Sequence, residues 1–240
     1  MYSVDLAYVH DAAFGGVARR AAPEIVRLLR GCGIRRGHIV DVGCGSGIAA
    51  ACFVARGYAV TGTDVSPAMI RLARANAPAA QFRVAPIERL RPPPCDAVVA
   101  VGEIVNYVAG GLPVLQRFFR RVHDALRPGG VFAFDFVESA AGRTFAAKSF
   151  GGADWALVAR ATFDKPRRLL TRRIVIVRTI GRRIRHASET HQVRIYSRTE
   201  MRRALETAGF SVAISRSYGR YRLMTGDVAV IATRATPTRL

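Results

Sequence analysis

The sequence predicts an α/β fold: a mostly parallel sheet with helices on both faces, plus an antiparallel β insertion that caps the functional site. Short apolar strands alternate with amphipathic helices between residues 38 and 136, as in parallel strands joined by helical crossovers. Residues 155–196 lack helical periodicity and instead have the pattern of antiparallel strands. The chain has 240 residues and a hydrophobic content of 50%, which suffices for a packed α/β core.

The first part of the chain has the clearest alternation of helices and strands. The predicted elements are a helix over 18–30, a strand over 38–42, a helix over 46–57, a strand over 59–65 and a helix after Ser66. The first helix ends at Gly31 and Gly33. Ser66 is a favoured N-cap residue, and Pro67 occupies the first helical position, where the backbone N–H would be unpaired anyway.

Three further strands and a helix complete the predicted parallel sheet. The strands cover 81–85, 95–101 and 129–136, and the helix lies between the last two. Arginines occupy the face of this helix opposite to its apolar residues, which is typical of a crossover helix packed on a sheet. The apolar residues at helical spacing are Leu112, Leu115, Phe119, Val122 and Leu126.

The rest of the chain predicts antiparallel strands, a helix and a closing strand. Strands are predicted over 155–163 and within 169–196, where Gly181-Arg182 fits a two-residue hairpin turn. Ser197 and Glu200 form a capping box. The helix that follows this box is predicted to end at Gly209, and residues 227–233 form the closing strand.

Residues 39–50, IVDVGCGSGIAA, form a glycine-rich loop after the first strand. The part GSGIAA matches a dinucleotide fingerprint, with Asp64 about 20 residues further on to bind a ribose. Asp41 argues against a phosphate at this loop, because a carboxylate a few ångströms from a phosphate costs on the order of 1 kcal/mol or more. A cationic ligand without phosphates, such as S-adenosylmethionine, removes the conflict.

With that ligand, each loop residue has a predicted role. Asp41 attracts the cationic sulfonium and amino end. Gly43, Gly45 and Gly47 let the backbone approach the methionine part and the ribose, and Asp64 accepts both ribose hydroxyls. The crevice at the carboxyl ends of the strands is where ligands bind in such sheets.

The segment DVGCGSG, 41–47, resembles the first motif of class I S-adenosylmethionine-dependent methyltransferases. The likeness continues through TGTDVSPAMIRLARAN, CDAVVAVGEIVNYV, ALRPGGVFAFDF and YSRTEMRRALETAGF, which together cover most of residues 35–233. The closest likeness is to bacterial small-molecule enzymes of the glycine/sarcosine N-methyltransferase-like type. It implies a Rossmann-like, seven-stranded sheet whose final strand runs antiparallel, with S-adenosylmethionine as the cofactor.

The resemblance also implies further cofactor contacts. These are Tyr8, Cys44, Val65, Met69, Pro86, Ile87 and Gly102. The adenine side departs from the family, which often has an acid soon after the third strand. Here Pro86 and Ile87 follow that strand, and Glu88 is the nearest carboxylate. Backbone groups around Pro86 and Ile87, or the Glu88 side chain, are expected to replace the missing contact.

Five residues are candidates for the methyl-acceptor side: His10, Glu103, Asn106, Tyr107 and His191. Glu103 would orient an amine or contact the cofactor. Asn106 or Tyr107 would hydrogen-bond the substrate, with a core aromatic as the alternative for Tyr107. In similar enzymes an N-terminal segment folds over the cofactor, which makes Tyr8 and His10 candidates for a lid.

His191 is the candidate for a general base, because the ordinary pKa of histidine lies near neutrality. Strand alternation places Glu189 on the same face, although two residues apart is a long reach for direct pairing. A solvated histidine on an edge strand is the alternative. No metal site is predicted, since the four cysteines show no metal-binding spacing.

The resemblance and the patterns divide the chain, interpreted as one domain over 1–240, into four parts. They are an N-terminal lid and helix over 1–34, a cofactor-binding core over 35–139, an antiparallel cap over 140–196, and a C-terminal helix with closing strands over 197–240.

The net charge of +20 attracts anions, unless it only reflects many solvated arginines. The expected partner is a small, possibly anionic substrate. RNA methylation through the basic region 160–203 is an alternative, although its arginines fall on both sides of the strands and residues 165–195 contain no aromatic for base stacking. A non-catalytic binding protein on the same fold is a second alternative.

The N-terminus does not resemble a secretion signal, and no apolar stretch is long enough to span a membrane. We therefore expect a cytoplasmic protein with reduced cysteines and no membrane partner. The oligomeric state has no signature in the sequence.

Overall fold

The computed structural model describes residues 2–236. The helices are α1 (Val4–Val9), a π-helical turn (His10–Phe14), α2 (Gly16–Gly31), α3 (Ile48–Val54), α4 (Pro67–Asn76), a 3₁₀ turn (Ile104–Tyr107), α5 (Gly111–Ala125) and α6 (Arg198–Thr207). The strands are β1 (Gly37–Val42), β2 (Tyr58–Asp64), β3 (Gln81–Val84), β4 (Cys95–Ala100), β5 (Leu126–Val137), β6 (Phe145–Gly151), β7 (Trp155–Asp164), β8 (Leu169–Ile180), β9 (Arg183–Arg194), β10 (Phe210–Ser215), β11 (Ser217–Tyr218), β12 (Tyr221–Arg222) and β13 (Asp227–Arg234).

Seven strands form the main sheet, in the order β10-β13-β5-β4-β1-β2-β3. β1 pairs in parallel with both β2 and β4, whereas β13 runs antiparallel to β5 and β10. This is the predicted Rossmann-like sheet with its antiparallel closing strand, so the predicted fold class is confirmed. The chain order reverses beside β1, and ligands bind such sheets at the carboxyl ends of the strands at that point.

Strand β5 shows how the sheet is buried on both faces. Phe132 and Phe134 lie on one face with their rings 4.6 Å apart, and Phe119 of α5 packs on Phe134 with ring centroids 5.9 Å apart. Ala133 belongs to the opposite face, in the cluster that contains Ile25 of α2. Burial of these apolar side chains drives the packing of helices on both faces.

Strands β6, β7, β8 and β9 form a second, antiparallel sheet in sequence order. Ile180 pairs with Arg183, which confirms the two-residue hairpin turn at Gly181-Arg182. Alternation along β8 buries Ile176 and exposes Val175. One face of this insertion therefore packs on the protein while the other faces solvent.

The N-terminal segment is tied to both sheets. The Ser66 hydroxyl, at the start of α4, donates to the Tyr2 carbonyl at 2.8 Å. Asp5 is 4% exposed and forms ion pairs with Arg178 at 3.1 Å and Arg185 at 3.0 Å, both on the insertion. Residues 2–14 are thus held between the carboxyl-end side of the main sheet and the insertion.

Several elements of the structure lack a sequence prediction, among them α1, β6, β10 and the two-residue strands β11 and β12. α1 has only six residues, too few to show a helical period. β6 is an edge strand whose residues are nearly all exposed, so it lacks the alternation of a half-buried strand. β10 is a short edge strand with alternating burial that directly follows α6.

Two predicted boundaries also differ. The helix expected over 46–57 covers only Ile48–Val54, because Gly47 has a φ of 79° and belongs to the preceding turn. β5 begins at Leu126 rather than at residue 129, since Leu126 pairs with Cys95 before a register shift.

Candidate functional site

The turn between β1 and α3 is built from glycines with left-handed backbone conformations. Gly43, Gly45 and Gly47 have φ values of 65°, 54° and 79°, which residues with a Cβ seldom adopt. A Cβ at Gly43 would meet Ile104 at 2.6 Å, and one at Gly47 would meet the Ala73 backbone at 2.9 Å. At Gly45 no described atom lies within 4 Å of that position. Gly43 and Gly47 therefore permit packing, whereas Gly45 borders the open crevice.

Asp41 is a buried carboxylate beside this turn. It is 2% exposed, and its Oδ2 has no hydrogen-bond partner among residues 2–236. Burial, together with the nearby charge of Asp64, raises the pKa of Asp41 to about 7. An ionised carboxylate without a partner is costly in such a place, and a cation would compensate it. The residues present therefore fit a cationic ligand such as S-adenosylmethionine.

Asp64 ends β2 beside the same turn. Its Oδ2 accepts from the Gly45 N–H at 3.0 Å and its Oδ1 from the Ser66 N–H at 2.8 Å. Burial raises the pKa of Asp64, and the backbone hydrogen bonds oppose that shift. These bonds fix the carboxylate at the tip of the strand, where it was predicted to accept the ribose hydroxyls.

Three other predicted cofactor contacts follow the glycine turn and β2, and they differ in how much of each residue is exposed to solvent. Cys44 is buried and its N–H donates to the Thr63 carbonyl at 2.9 Å. Val65 is exposed, while Met69 is buried in a cluster with Ala7 and Tyr2. Met69 therefore packs beneath the N-terminal segment and contributes no polar group.

The predicted adenine side already has protein partners. The carbonyls of Ile87 and Glu88 both accept from Arg121, at 3.4 and 2.9 Å. The Glu88 carboxylate accepts from the Ala109 N–H at 3.2 Å. In this structure the Glu88 carboxylate therefore joins two loops. Pro86 directly precedes Ile87 and Glu88, whose carbonyls bond Arg121.

Four of the five predicted acceptor-side residues are brought together. The ring of Tyr2 lies edge-on to His10 at 5.2 Å and to His191 at 5.1 Å, and Tyr107 lies edge-on to His191 at 6.1 Å. Glu103 reaches the same group through Arg172, which donates to the Tyr107 hydroxyl at 3.0 Å. We call Tyr2, His10, Glu103, Tyr107, Arg172 and His191 the roof cluster.

Glu103 is held in an ion-pair network at the carboxyl end of β4. Its carboxylate lies 2.5 Å from Arg143 and 3.0 Å from Arg172. Its φ is 65°, a strained conformation for a residue with a side chain. The buried Asp135 secures the strained turn, because it accepts from the N–H groups of Gly102 at 3.0 Å and Glu103 at 2.6 Å.

The two histidines of the roof cluster have different environments. Burial lowers the pKa of His10 to about 4, so its ring is neutral at physiological pH. His191 is 7% exposed, and its Nε2 lies 2.9 Å from Oε2 of Glu189. The expectation that Glu189 and His191 lie too far apart for direct pairing is therefore wrong. The alternative of a solvated histidine on an edge strand is also wrong.

Glu189 links this pair to the N-terminal segment. Its Oε1 accepts from the Ser3 N–H at 2.9 Å. Although burial opposes ionisation, the bonds from His191 and Ser3 lower the pKa of Glu189. The dyad therefore combines an ionised carboxylate with an imidazole beside Tyr2 and Tyr107.

Asn106 and Tyr8, both predicted to contact ligands, have protein partners in this structure. The Asn106 amide donates to the carbonyls of Val137 at 3.2 Å and Arg194 at 2.7 Å, and its oxygen accepts from the Val137 N–H. These bonds use the side chain to join β5 to β9. Tyr8 turns toward the insertion, where the Arg178 guanidinium stacks on its ring at 3.5 Å. Tyr2, in the same segment, packs edge-on against His10 and His191.

Tyr2, Arg172 and Asp135 are site residues that sequence reasoning did not identify. Tyr2 and Arg172 come into the crevice only through the docking of the N-terminal segment and the insertion. Asp135 had a local signal, since it is a lone acid within the apolar strand VFAFDFV. A lone acid in such a strand is expected to be buried, and a buried carboxylate is expected to accept hydrogen bonds from nearby groups.

Residues 2–236 contain no group of three or more His, Cys, Asp or Glu side chains placed to hold a metal ion. Within the same range no helix is long and apolar enough to cross a membrane. The four cysteines are unpaired.

Comparison with known proteins adds to this geometry. Residues 39–130 match a family described as a methyltransferase domain. The trans-aconitate 2-methyltransferase of Paracidovorax citrulli (strain AAC00-1) is 36% identical over 106 residues, 42% of this chain and 39% of that protein. The chain thus spans well under half the length of this curated relative.

Solved structures resemble nearly the whole chain. An S-adenosylmethionine-dependent methyltransferase from Clostridium acetobutylicum ATCC 824 has a TM-score of 0.82 at 15% identity, over 95% of this chain and 97% of that one. An S-adenosylmethionine-bound amino pentose methyltransferase from Micromonospora echinaspora has a TM-score of 0.76 at 23% identity, again over 95% and 97%. The family match covers residues 39–130, less than half of the chain, and these solved structures, both below 25% identity, show that the chain shares their fold.

Proposed function

We propose that the protein transfers the methyl group of S-adenosylmethionine to a small-molecule amine bound beneath the roof cluster. The observation that carries this proposal is the buried, unpartnered Asp41 carboxylate beside an open glycine turn. A buried carboxylate without a partner is stabilised by a positively charged group of a ligand. When bound, S-adenosylmethionine supplies a methyl group on a sulfonium, a good leaving group.

The residues of this chain have distinct tasks in the proposed site. Asp41 neutralises the cationic end of the cofactor, Asp64 holds its ribose, and Gly45 leaves room for it. The roof cluster excludes water from the acceptor side, so alignment of the acceptor can contribute much of the acceleration.

The His191–Glu189 dyad is the proposed proton acceptor. An amine that arrives as an ammonium ion must lose a proton before its nitrogen can attack the methyl group, and a base within hydrogen-bond reach serves this need. Glu189 keeps the imidazole oriented and stabilises it once protonated. His10 stays neutral, and its pKa of about 4 makes it a weak base near pH 7.

Enclosure of the site favours a small acceptor over RNA. The N-terminal segment and the insertion cover the carboxyl ends of the strands, and Arg172 and Arg178 point inward to acidic partners. On the outer face of the insertion Arg173 pairs across the strands with Arg160, next to exposed Val175 and Val158. Stacking of nucleic-acid bases calls for aromatics, which this group of residues does not contain.

The amine acceptor is the finer part of the proposal. It corresponds to the glycine/sarcosine N-methyltransferase-like branch that the sequence resembles. A structural neighbour over 95% of the chain is named an amino pentose methyltransferase. A ubiquinone biosynthesis O-methyltransferase of Methylobacterium sp. (strain 4-46), 34% identical over 54% of this chain, leaves an oxygen acceptor as the competing chemistry.

Incubation with isotope-labelled S-adenosylmethionine and a fractionated metabolite extract tests the activity. We expect label in a small molecule, bound through nitrogen by mass spectrometry. Label on oxygen would contradict the amine, and no transfer despite cofactor binding would support a non-catalytic protein. Filter binding to total RNA over a salt series should show only weak binding, whereas an RNA enzyme would bind tightly with a steep salt dependence.

A further inference from the structure

A second polar cavity lies outside the cofactor crevice, at the N-terminus of α5. It has a volume of about 420 Å³, and the residues that line it include Gly110, Gly111, Arg168, Arg194, Tyr196 and Glu200. The cavity lies on the opposite side of β9 from His191, because Arg194 and His191 occupy alternate faces of that strand. It is therefore separate from the roof cluster.

The start of α5 is shaped to receive a ligand. Gly110 and Gly111 have φ values of 80° and 64°, and no side chain of the described residues caps the helix. The Gly111 N–H reaches the Val108 carbonyl only at 3.4 Å, a long bond. Uncapped N–H groups and the helix dipole of this 15-residue helix favour an anion at this end.

Tyr196 gives an independent indication of a ligand. The residue is 3% exposed, yet its hydroxyl has no hydrogen-bond partner within the described part of the chain. A Cβ placed on Gly111 would lie 3.8 Å from this hydroxyl and 3.5 Å from Nε of Arg194. Because glycine leaves that position empty, two donors face the same space beside the helix.

The charges around the cavity leave a net positive group. Arg168 and Glu200 neutralise each other through two hydrogen bonds, of 2.8 and 2.6 Å. Ser197 also bonds Glu200, so this carboxylate is fully engaged. Arg194 is exposed, and its guanidinium donates to the Arg167 carbonyl at 3.3 Å. No acidic side chain of the described residues forms an ion pair with it.

We propose that this cavity is a binding site for a phosphate group, held by the start of α5, the Arg194 guanidinium and the Tyr196 hydroxyl. These groups are all donors, and a phosphate dianion accepts from several donors at once. The phosphate belongs either to a free ligand or to a phosphorylated acceptor. The Asn106 bond to the Arg194 carbonyl connects the cavity to the loop that carries Tyr107.

Calorimetric titration with inorganic phosphate at constant ionic strength tests the site. We expect saturable binding to the wild-type protein and about tenfold weaker binding for Arg194→Gln. Arg173→Gln removes an exposed arginine from the outer face of the same sheet and should bind phosphate like the wild type. Equal weakening by both variants would show a general charge effect and overturn the site.

Tyr196→Phe provides the second variant. It removes a hydroxyl that has no partner in the described chain, so the unliganded protein should be at least as stable as the wild type, while phosphate binds several-fold more weakly. Lost stability with unchanged phosphate affinity would overturn the role of Tyr196. Absence of phosphate binding to the wild type, or tighter binding of acetate, would overturn the site itself.

A competition assay distinguishes the two sources of the phosphate. Inhibition of labelled methyl transfer by phosphate would assign the site to a phosphorylated acceptor, and retained transfer with saturated binding would assign it to a separate ligand. The titrations contain neither cofactor nor acceptor. The result of the titrations is therefore independent of whether the protein transfers methyl groups.

Discussion

At the residue scale, Asp41 links burial to ligand charge. In the unliganded protein burial raises the pKa of Asp41 to about 7, so the carboxyl group is partly protonated near neutrality. A cationic ligand binds only the ionised form. The proton must therefore leave before or during binding, and affinity should depend on pH in a predictable direction.

We expect S-adenosylmethionine affinity to rise from pH 6 to pH 8, by roughly tenfold for a group with this pKa. Above that range Asp41 is fully ionised and the rise should end. Asp41→Asn should bind more weakly and show a nearly flat dependence between these two pH values. Isothermal titration of both proteins measures this. A wild-type affinity that falls with increasing pH would contradict the role of Asp41.

The His191–Glu189 dyad gives a second prediction at this scale. His191→Gln removes the proposed base and should lower kcat by about 100-fold, with little change in cofactor affinity. Glu189→Gln keeps the side-chain shape and should lower kcat less, because the imidazole keeps a hydrogen-bonding neighbour but loses its charged partner.

His186→Gln is the matched control for the dyad. His186 is an exposed histidine on the same strand, and its replacement should leave kcat unchanged. Steady-state kinetics over a pH series supplies all three readings. An unaltered kcat in His191→Gln would exclude this residue as the base.

At the element scale, the glycines of the turn between β1 and α3 have two different roles: Gly47 allows close packing, and Gly45 leaves space for a ligand. Gly45→Ala and Gly47→Ala both place a side chain on a left-handed residue, which costs roughly 1–2 kcal/mol of stability. Gly47→Ala adds a contact at 2.9 Å with the Ala73 backbone, whereas Gly45 faces open space.

We therefore expect Gly47→Ala to be the more destabilising substitution in urea unfolding. Gly45→Ala should unfold more nearly like the wild type but lose cofactor affinity, because its methyl group enters the crevice. If Gly45→Ala bound the cofactor as tightly as the wild type, the open space beside Gly45 would not be the ligand site.

At the scale of the whole molecule, the site exists only where three parts of the chain meet. The main sheet provides the crevice, residues 2–14 provide Tyr2 and His10, and the insertion provides Arg172 and His191. Asp5 joins the last two parts, since it is buried between Arg178 and Arg185.

Asp5→Asn should loosen this junction and destabilise the protein by about 2 kcal/mol, because two arginines lose a buried partner. Hydrogen exchange should accelerate in residues 4–14 and 172–191 but not in β1, β4 or β5. Asp164→Asn removes an exposed pair with Arg167 and should change stability little. Uniform acceleration throughout the chain would contradict a local junction.

Much of the proposed cofactor site was predictable because its signals are local. The glycines 43, 45 and 47, the acid before them and the acid at the end of β2 lie in short segments whose backbone demands are visible in the sequence. Strand and helix periodicity likewise predicted the parallel sheet. Short or edge elements such as α1, β6 and β10 were missed, because α1 and β10 have only six residues each and nearly all of β6 is exposed.

The acceptor side depended on tertiary structure. His191 and Glu189 were predicted as candidates, but their direct pairing required the side-chain geometry of β9. Asn106 had the character of a substrate contact, yet it is used to hold two strands together. Tyr2 gave no signal at all, since its position results from docking of the N-terminal segment.

The sequence by itself determined the parallel sheet, the glycine turn and the two acids beside it, because local backbone and burial preferences specify them. The tertiary structure alone decided which side chains form the roof cluster and which line the cavity at α5. Those side chains come from segments far apart in the chain, and only long-range packing brings them together.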